Sequence, residues 1–263
     1  MSNYPKIGKE WPGSMNYPQS TFYHAIACDE IKGHLSVGKF GSNDAAGTSE
    51  TIIWSGAAVP SSNPFPAAAA KVLVRAGGNA SDDDGGTGAN SITIYGLNAT
   101  WDIVSETILL AGAAASAQST NSYIRVYRVA VTSGSGGVNV AAIILDQVAG
   151  ECIAHVQAGK GQSTQCFYPV PRGYKAHVPI IEAYVDSNKV ALIQMWQRVS
   201  ANTATPSKRL VQELFGIIGG ARSAFDLPKQ FPEYTDVYMT SVAGAAGSGI
   251  SGMFDVILIK NGS

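Results

Sequence analysis

At 263 residues the chain can bury a substantial core without disulfide staples, and its length suits one large β domain or two of ordinary size. Charged residues make up 14% of it, well under the usual value of about a quarter. The 18 basic residues nearly balance 19 acidic ones, for a formal net charge of -1. No more than two basic residues stand together and no apolar run is long enough for a membrane helix, so neither a nucleic-acid nor a membrane partner is expected.

Residues 1–34 read as a separate unit. Tyr4-Pro5, Trp11-Pro12 and Tyr17-Pro18 set an aromatic beside a proline three times, with neither a helical nor a strand period. This predicts an extended arm. Because aromatics are depleted from true disorder, Tyr4, Trp11 and Tyr17 are expected to dock on the protein's own body or on a neighbouring subunit. The opening MSNYPKIGKEWPG lacks an apolar signal core, so synthesis as a soluble cytoplasmic protein is expected.

Beyond the arm, short runs rich in β-branched residues alternate with glycine-rich turns. Residues 67–74, with AAAAKVLV, suit either a short helix or a strand. The string SDDDGGTGAN (81–90) places three carboxylates before glycines. An EF-hand would need acidic groups at alternating positions, a closing glutamate and flanking helices, all missing here, so a solvated turn is the better reading; weak calcium binding at Asp82–Asp84 stays open. SITIYGLNATWDIVSETILLAG then predicts a hairpin turning at GLNAT.

YIRVYRVAVTS follows as a strand with Tyr123, Arg125 and Tyr127 on one face. Such a stripe suits cross-strand packing or a subunit interface, and can also stack sugars. VNVAAIILDQ is the next strand, and a boundary is expected near Ala149-Gly150. CIAHVQAGKGQSTQCFYPV reads as a hairpin closed at Gly159–Gly161. AHVPIIEAYVDSNKVALIQMWQRVS reads as another, tipped at residues 186–188, with Ala191, Ile193 and Met195 on one face and Trp196 and Arg198 on the other. KRLVQELFGIIGG is ambiguous but placed as a strand, and ISGMFDVILIK ends the fold with Phe254, Val256 and Leu258 on one face. The expectation is an all-β protein of β-sandwich or jelly-roll modules, two in series over 35–149 and 150–263, behind the arm of 1–34.

Motifs for chemistry are weak. AGKGQST lacks the GxxxxGK[ST] spacing and the following helix of a phosphate loop. GSGISGMF has the residues of a nucleophile elbow in the wrong spacing. Glu106, Asp146, Glu151, Asp186, Glu233 and Asp236 could supply a glycosidase pair, but any β protein of this size offers as many. Cys28, Cys152 and Cys166 are read as buried reduced thiols. Zinc sets built from His24, Cys28 and His34, or from Cys152, His155 and Cys166, lack paired spacing. No catalytic residue, metal or cofactor is assigned.

Several phrases in order carry a resemblance: VGKFGSNDAAGTSETIIWSG (37–56), GTGANSITIYGLNATWDIVSETILLAG (86–112), SYIRVYRVAVTSGSGGVN (122–139), AGKGQST with YPVPRGYKAHV, FPEYTDV and FDVILI. They resemble a family of virion structural proteins encoded by tailed, mainly marine, bacteriophages. The resemblance implies a β-sandwich or jelly-roll particle component without enzymatic activity, located in the virion after assembly in the host cytoplasm, and gives Lys160 no phosphate role. The leading expectation is an exterior capsid decoration or cement protein, a homo-oligomer (a trimer) docking on the major capsid protein or other virion proteins. The alternative is a tail-associated adhesin recognising host surface glycans through Tyr123, Arg125, Tyr127, Trp196 and Arg198.

Overall fold

A computed structural model describes residues 19–28, 30–147, 150–186, 189–199 and 207–262. Strand accounts for 58% of the chain and helix for 4%, which bears out the all-β reading. The chain begins with α1 (Gln19–Ala27), β1 (His34–Ala46), β2 (Thr51–Ile52) and a short 3-10 turn (Ser55–Ala58). It continues through β3 (Val72–Arg75), β4 (Ala89–Leu97), β5 (Ile103–Leu109), β6 (Arg125–Gly134), β7 (Ile143–Gln147) and β8 (Cys152–Val156). The remainder is β9 (Phe167–Pro169), β10 (Tyr174–Val185), β11 (Ala191–Val199), β12 (Lys208–Ile217), β13 (Gly220–Phe231), β14 (Thr235–Ala243) and β15 (Ser248–Lys260).

Part of the expected arm is not extended. Gln19–Ala27 forms a helix because Phe22, Ala25 and Ile26 recur at helical spacing, and Ala25 and Ile26 bury there. Tyr4, Trp11 and Tyr17 lie outside the described residues. In the 67–74 segment the strand alternative holds, as β3.

The strands sort around two cores. Strands in the order β1-β15-β10-β13 face a second sheet, β12-β11-β14-β2, to which β9 adds against β14. Between them Val178, Ile181, Phe254 and Val256 meet Ile193, Met195, Val237 and Met239. A smaller core lies between the sheets β3-β7-β8 and β5-β4-β6, filled by Val74, Ile92, Ile94, Val129, Leu145 and Ile153. Residues contributed at alternate positions along each strand make both cores, as a sandwich requires.

Along the chain the two cores interleave. β1 and β2 belong to the larger sandwich, β3 to β8 to the smaller one, and β9 returns to the larger. Departure and return run side by side: Ser55 N–H donates to Thr164 O at 3.0 Å and Cys166 N–H to Ile53 O at 2.9 Å. β1 crosses tightly over this neck. A Cβ on Gly41 would lie 2.3 Å from both Cys166 N and Ile53 O, so only glycine fits there. The expected boundary at 149/150 touches residues outside the described set, while β7 and β8 on either side of it pair with each other.

The local hairpin β4–β5 forms as predicted, Ser91 opposite Leu109 through Leu97 opposite Ile103. Two other predicted hairpins do not form. β8 pairs with β7 and β9 with β14, while β10 pairs with β13 and β15 and β11 with β12 and β14. A period of two assigns faces but not neighbours, and a glycine turn can as easily carry the chain between sheets as around a hairpin. β10 and β13 carry a further irregularity. Val178 pairs with Lys229 and Ile180 with Ala224, so residues 225–228 bulge opposite Pro179, which has no N–H to offer the ladder. Leu227, in that bulge, is 83% exposed.

Candidate functional site

Of the residues in the two expected stripes, Arg125, Tyr127, Trp196 and Arg198 meet at a joint between the sandwiches, while Tyr123 packs in the smaller core. Arg125 opens β6 of the smaller sandwich and Asp236 lies in β14 of the larger. Arg125 Nε donates to Asp236 Oδ1 and Nη2 to Oδ2, both at 2.8 Å, in a two-pronged pair. Nη1 donates to Pro66 O at 2.9 Å and to Ile124 O at 2.6 Å. The side chains are 2% and 0% exposed. The guanidinium carbon lies 5.4 Å from the Phe65 ring centre and 5.2 Å from that of Trp101, so the cation is held by aromatic faces as well as by oxygen. Trp101 packs edge-on to Tyr234, and both hold left-handed backbone, at φ 63° and 62°. Side chains of this size rarely adopt it, and the surrounding contacts must hold them there.

Phe65 is the centre of the joint. It packs on Phe167 and Tyr238 at 5.2 and 5.1 Å, and Arg198 lies 5.5 Å from its ring centre. Trp196 joins the same cluster, donates from Nε1 to Thr240 Oγ1 at 2.9 Å, and carries Lys208 Nζ 4.1 Å from its ring. The expected outward stripe of Tyr123, Arg125 and Tyr127 therefore needs correction. Tyr123 and Arg125 are enclosed by their own chain, and of the three only Tyr127 reaches an open cleft. Trp196 and Arg198 are half-buried on the face opposite Ala191, Ile193 and Met195, as the alternation predicts.

The six acidic residues considered for glycoside cleavage are each engaged locally. Glu106 accepts from Thr120 and Asn121 amides, Asp146 pairs with Arg75, Glu151 accepts from Asn63, Asp186 from Gly249, Glu233 from Gly173, and Asp236 holds Arg125. They fasten loops to strands, and in the Asp146 and Asp236 pairs strand to strand. Cys152 and Cys166 are buried thiols, as expected, but Cys28 is exposed at the end of α1, its Sγ 3.6 Å from His24 Nε2.

Asp82 resolves the string of three aspartates. Its carboxylate is fully buried and accepts from three amides: Ala89 N–H and Val140 N–H on Oδ1 and Ala141 N–H on Oδ2, at 2.8–2.9 Å. A Cβ on Gly88 would lie 2.3 Å from Oδ1, so this glycine lets the backbone close around the carboxylate. The turn reading holds, but with an enclosed fastener in place of a solvated loop.

Lys39 is the functional candidate that the sequence did not single out. It is 8% exposed, in β1, and donates to Tyr127 O at 2.5 Å. Burial brings its ammonium pKa down to about 8, partly opposed by Cys166 and aided to a smaller extent by the charge of Arg128. In the unfolded chain it returns to about 10.5. Below pH 8 the folded state bears the whole cost of the buried charge. Between the two values only the unfolded state keeps the proton, so this contribution to stability rises with pH. Lys39→Met should therefore stabilise the protein by about 1–2 kcal/mol at pH 7. In urea melts from pH 7 to 10.5 the advantage should shrink as pH rises; a constant difference would refute the buried-charge account.

No protein-family profile matches the chain, and no curated protein matches it. Among solved structures, one similar chain comes from the "Structure of infectious bursal disease virus Gx strain", 9% identical, covering 88% of this chain and 73% of that one at a TM-score of 0.27. A likeness at that score carries no argument. The resemblance to tailed-phage proteins thus gains no support from a family or curated match.

Proposed function

We propose that the protein is a non-enzymatic structural component of a virion, and that it assembles with copies of itself through the outer edges of β12 and β13, which have no further strand partner among the described residues. One observation carries the assembly. β12 and β13 end the two sheets of the larger sandwich and follow one another through a short turn, and they expose Leu210, Phe215, Ile218 and Leu227 at 46, 75, 63 and 83%. Exposed apolar residues grouped on unpaired strand edges favour coverage by protein. The low charge of the chain agrees with that. The virion setting itself rests on the phage resemblance of its turn and strand phrases.

The finer reading is an exterior capsid decoration protein, a trimer in which the arm bearing Tyr4, Trp11 and Tyr17 docks on the shell. Sedimentation of the purified chain should show an oligomer, and Phe215→Asp with Leu227→Asp should yield a folded monomer. A wild-type monomer would sink the edge assembly. Quantitative mass spectrometry of particles decides the place: on the order of hundreds of copies for a shell decoration, roughly six to eighteen for a tail component. Absence from particles would overturn the virion reading.

A further inference from the structure

Between the two sandwiches lies a cleft of about 420 Å³, walled by β1 (Ser36 to Phe40), Tyr95 of β4, Tyr127 and Arg128 of β6, and Gln162 and Ser163. That volume suits a small ligand. Its walls hold two cations, Lys39 and Arg128, and no carboxylate. Among the described residues neither cation forms an ion pair. Among the described residues Lys39 has only a backbone carbonyl as its hydrogen-bond partner, and Arg128, an exposed residue, stands 5.5 Å over the Tyr95 ring. Ser163 Oγ accepts from Val129 N–H, which leaves its own hydrogen to donate into the cleft.

A second cleft of similar size, about 430 Å³, lies beneath α1 and shows the contrast. There Arg222 is neutralised by Glu182 at 3.1 Å, with Asp255 close by. Of these two clefts, the Lys39 cleft is the one with positive charge and no counterpart among the described residues. Holding a buried ammonium near a second cation costs stability unless an anion joins them.

We infer that the Lys39–Arg128 cleft binds a small oxyanion, a carboxylate or phosphate group, bridged between the Lys39 ammonium and the Arg128 guanidinium and flanked by the Tyr95 and Tyr127 rings. Arg128 supplies a planar fork for two oxygens and Lys39 a point charge from below. Bound anion would also offset the depressed basicity of Lys39. The inference is independent of where on a particle the protein sits, or whether it self-associates.

Isothermal titration of the full chain with inorganic phosphate and with D-glucuronate tests it, using D-glucose and sodium chloride at matched ionic strength as controls. At least one of the two anions should bind saturably at one site per chain, and glucose should not. Phosphate alone would identify a phosphate-bearing ligand, and glucuronate alone a carboxylated sugar. Arg128→Gln and Lys39→Met should each weaken binding about tenfold or more, the loss expected for one charge-assisted hydrogen bond. Both variants should fold, since Arg128 is exposed and the Lys39 change relieves a buried charge. Absence of saturable binding by either anion, or unchanged affinity in both variants, would overturn the proposal.

Discussion

Replacing Arg125 with methionine should lower the free energy of unfolding by about 3–5 kcal/mol, among the largest effects a single substitution here can have. The loss comes less from the missing attraction than from what is left behind. Asp236, 0% exposed, would lose the two-pronged guanidinium it now accepts from, and Pro66 O and Ile124 O would lose the donor that Arg125 supplies. The joint between β6 and β14 should loosen first, since Phe65 and Trp101 flank the same guanidinium. Adding Asp236→Leu to Arg125→Met also removes the buried carboxylate that lost its guanidinium, so the double variant should recover much of the loss. Urea melts of the wild type, both single variants and the double variant check this. A single-variant loss below about 1 kcal/mol would show that the pair is not desolvated as described.

Asp82→Ala is expected to cost about 3–4 kcal/mol, because one buried and two part-buried amides lose a charged acceptor at once. The damage should be local before it is global. Hydrogen exchange at the Ala89, Val140 and Ala141 amides should speed up well before exchange in β10 or β15. Asp82→Asn keeps one carbonyl oxygen and should cost less. In this account the carboxylate holds backbone, not metal, so a chelator should leave the wild-type melting temperature unchanged. A chelator-dependent drop would restore the calcium reading, because a bound ion stabilises only the folded state.

Much of the fold was legible because alternation is a local signal. β11 is an example: Ala191, Ile193 and Met195 bury while Leu192, Gln194 and Trp196 stay half-exposed, as period two demands. The β4–β5 hairpin was also legible, since its strands adjoin a turn and need no distant partner. The joint had a fainter signal. Arg125 in YIRVY and Asp236 in YTDVYM each interrupt an apolar strand with a charge, and two such interruptions of opposite sign suit one buried pair. Nothing in the spacing of residues 125 and 236 says that they meet. Nothing in VGKFG singles out Lys39, because whether its face is covered depends on β6 and the segment at Gln162, far along the chain.

By itself the sequence determined the all-β class, the positions of most strands and the face each residue takes, because side-chain alternation and turn chemistry act over a few residues. Tertiary structure decided which strands neighbour one another. It carried the chain out of the larger sandwich after β2 and back at β9, split two predicted hairpins between sheets, and closed Arg125 on Asp236. It also turned Tyr123 and Arg125 inward and left Phe215 and Leu227 outside. The reason is physical: the pattern along a strand states how much of it must be buried, while the partner that buries it is chosen by the packing of the whole chain.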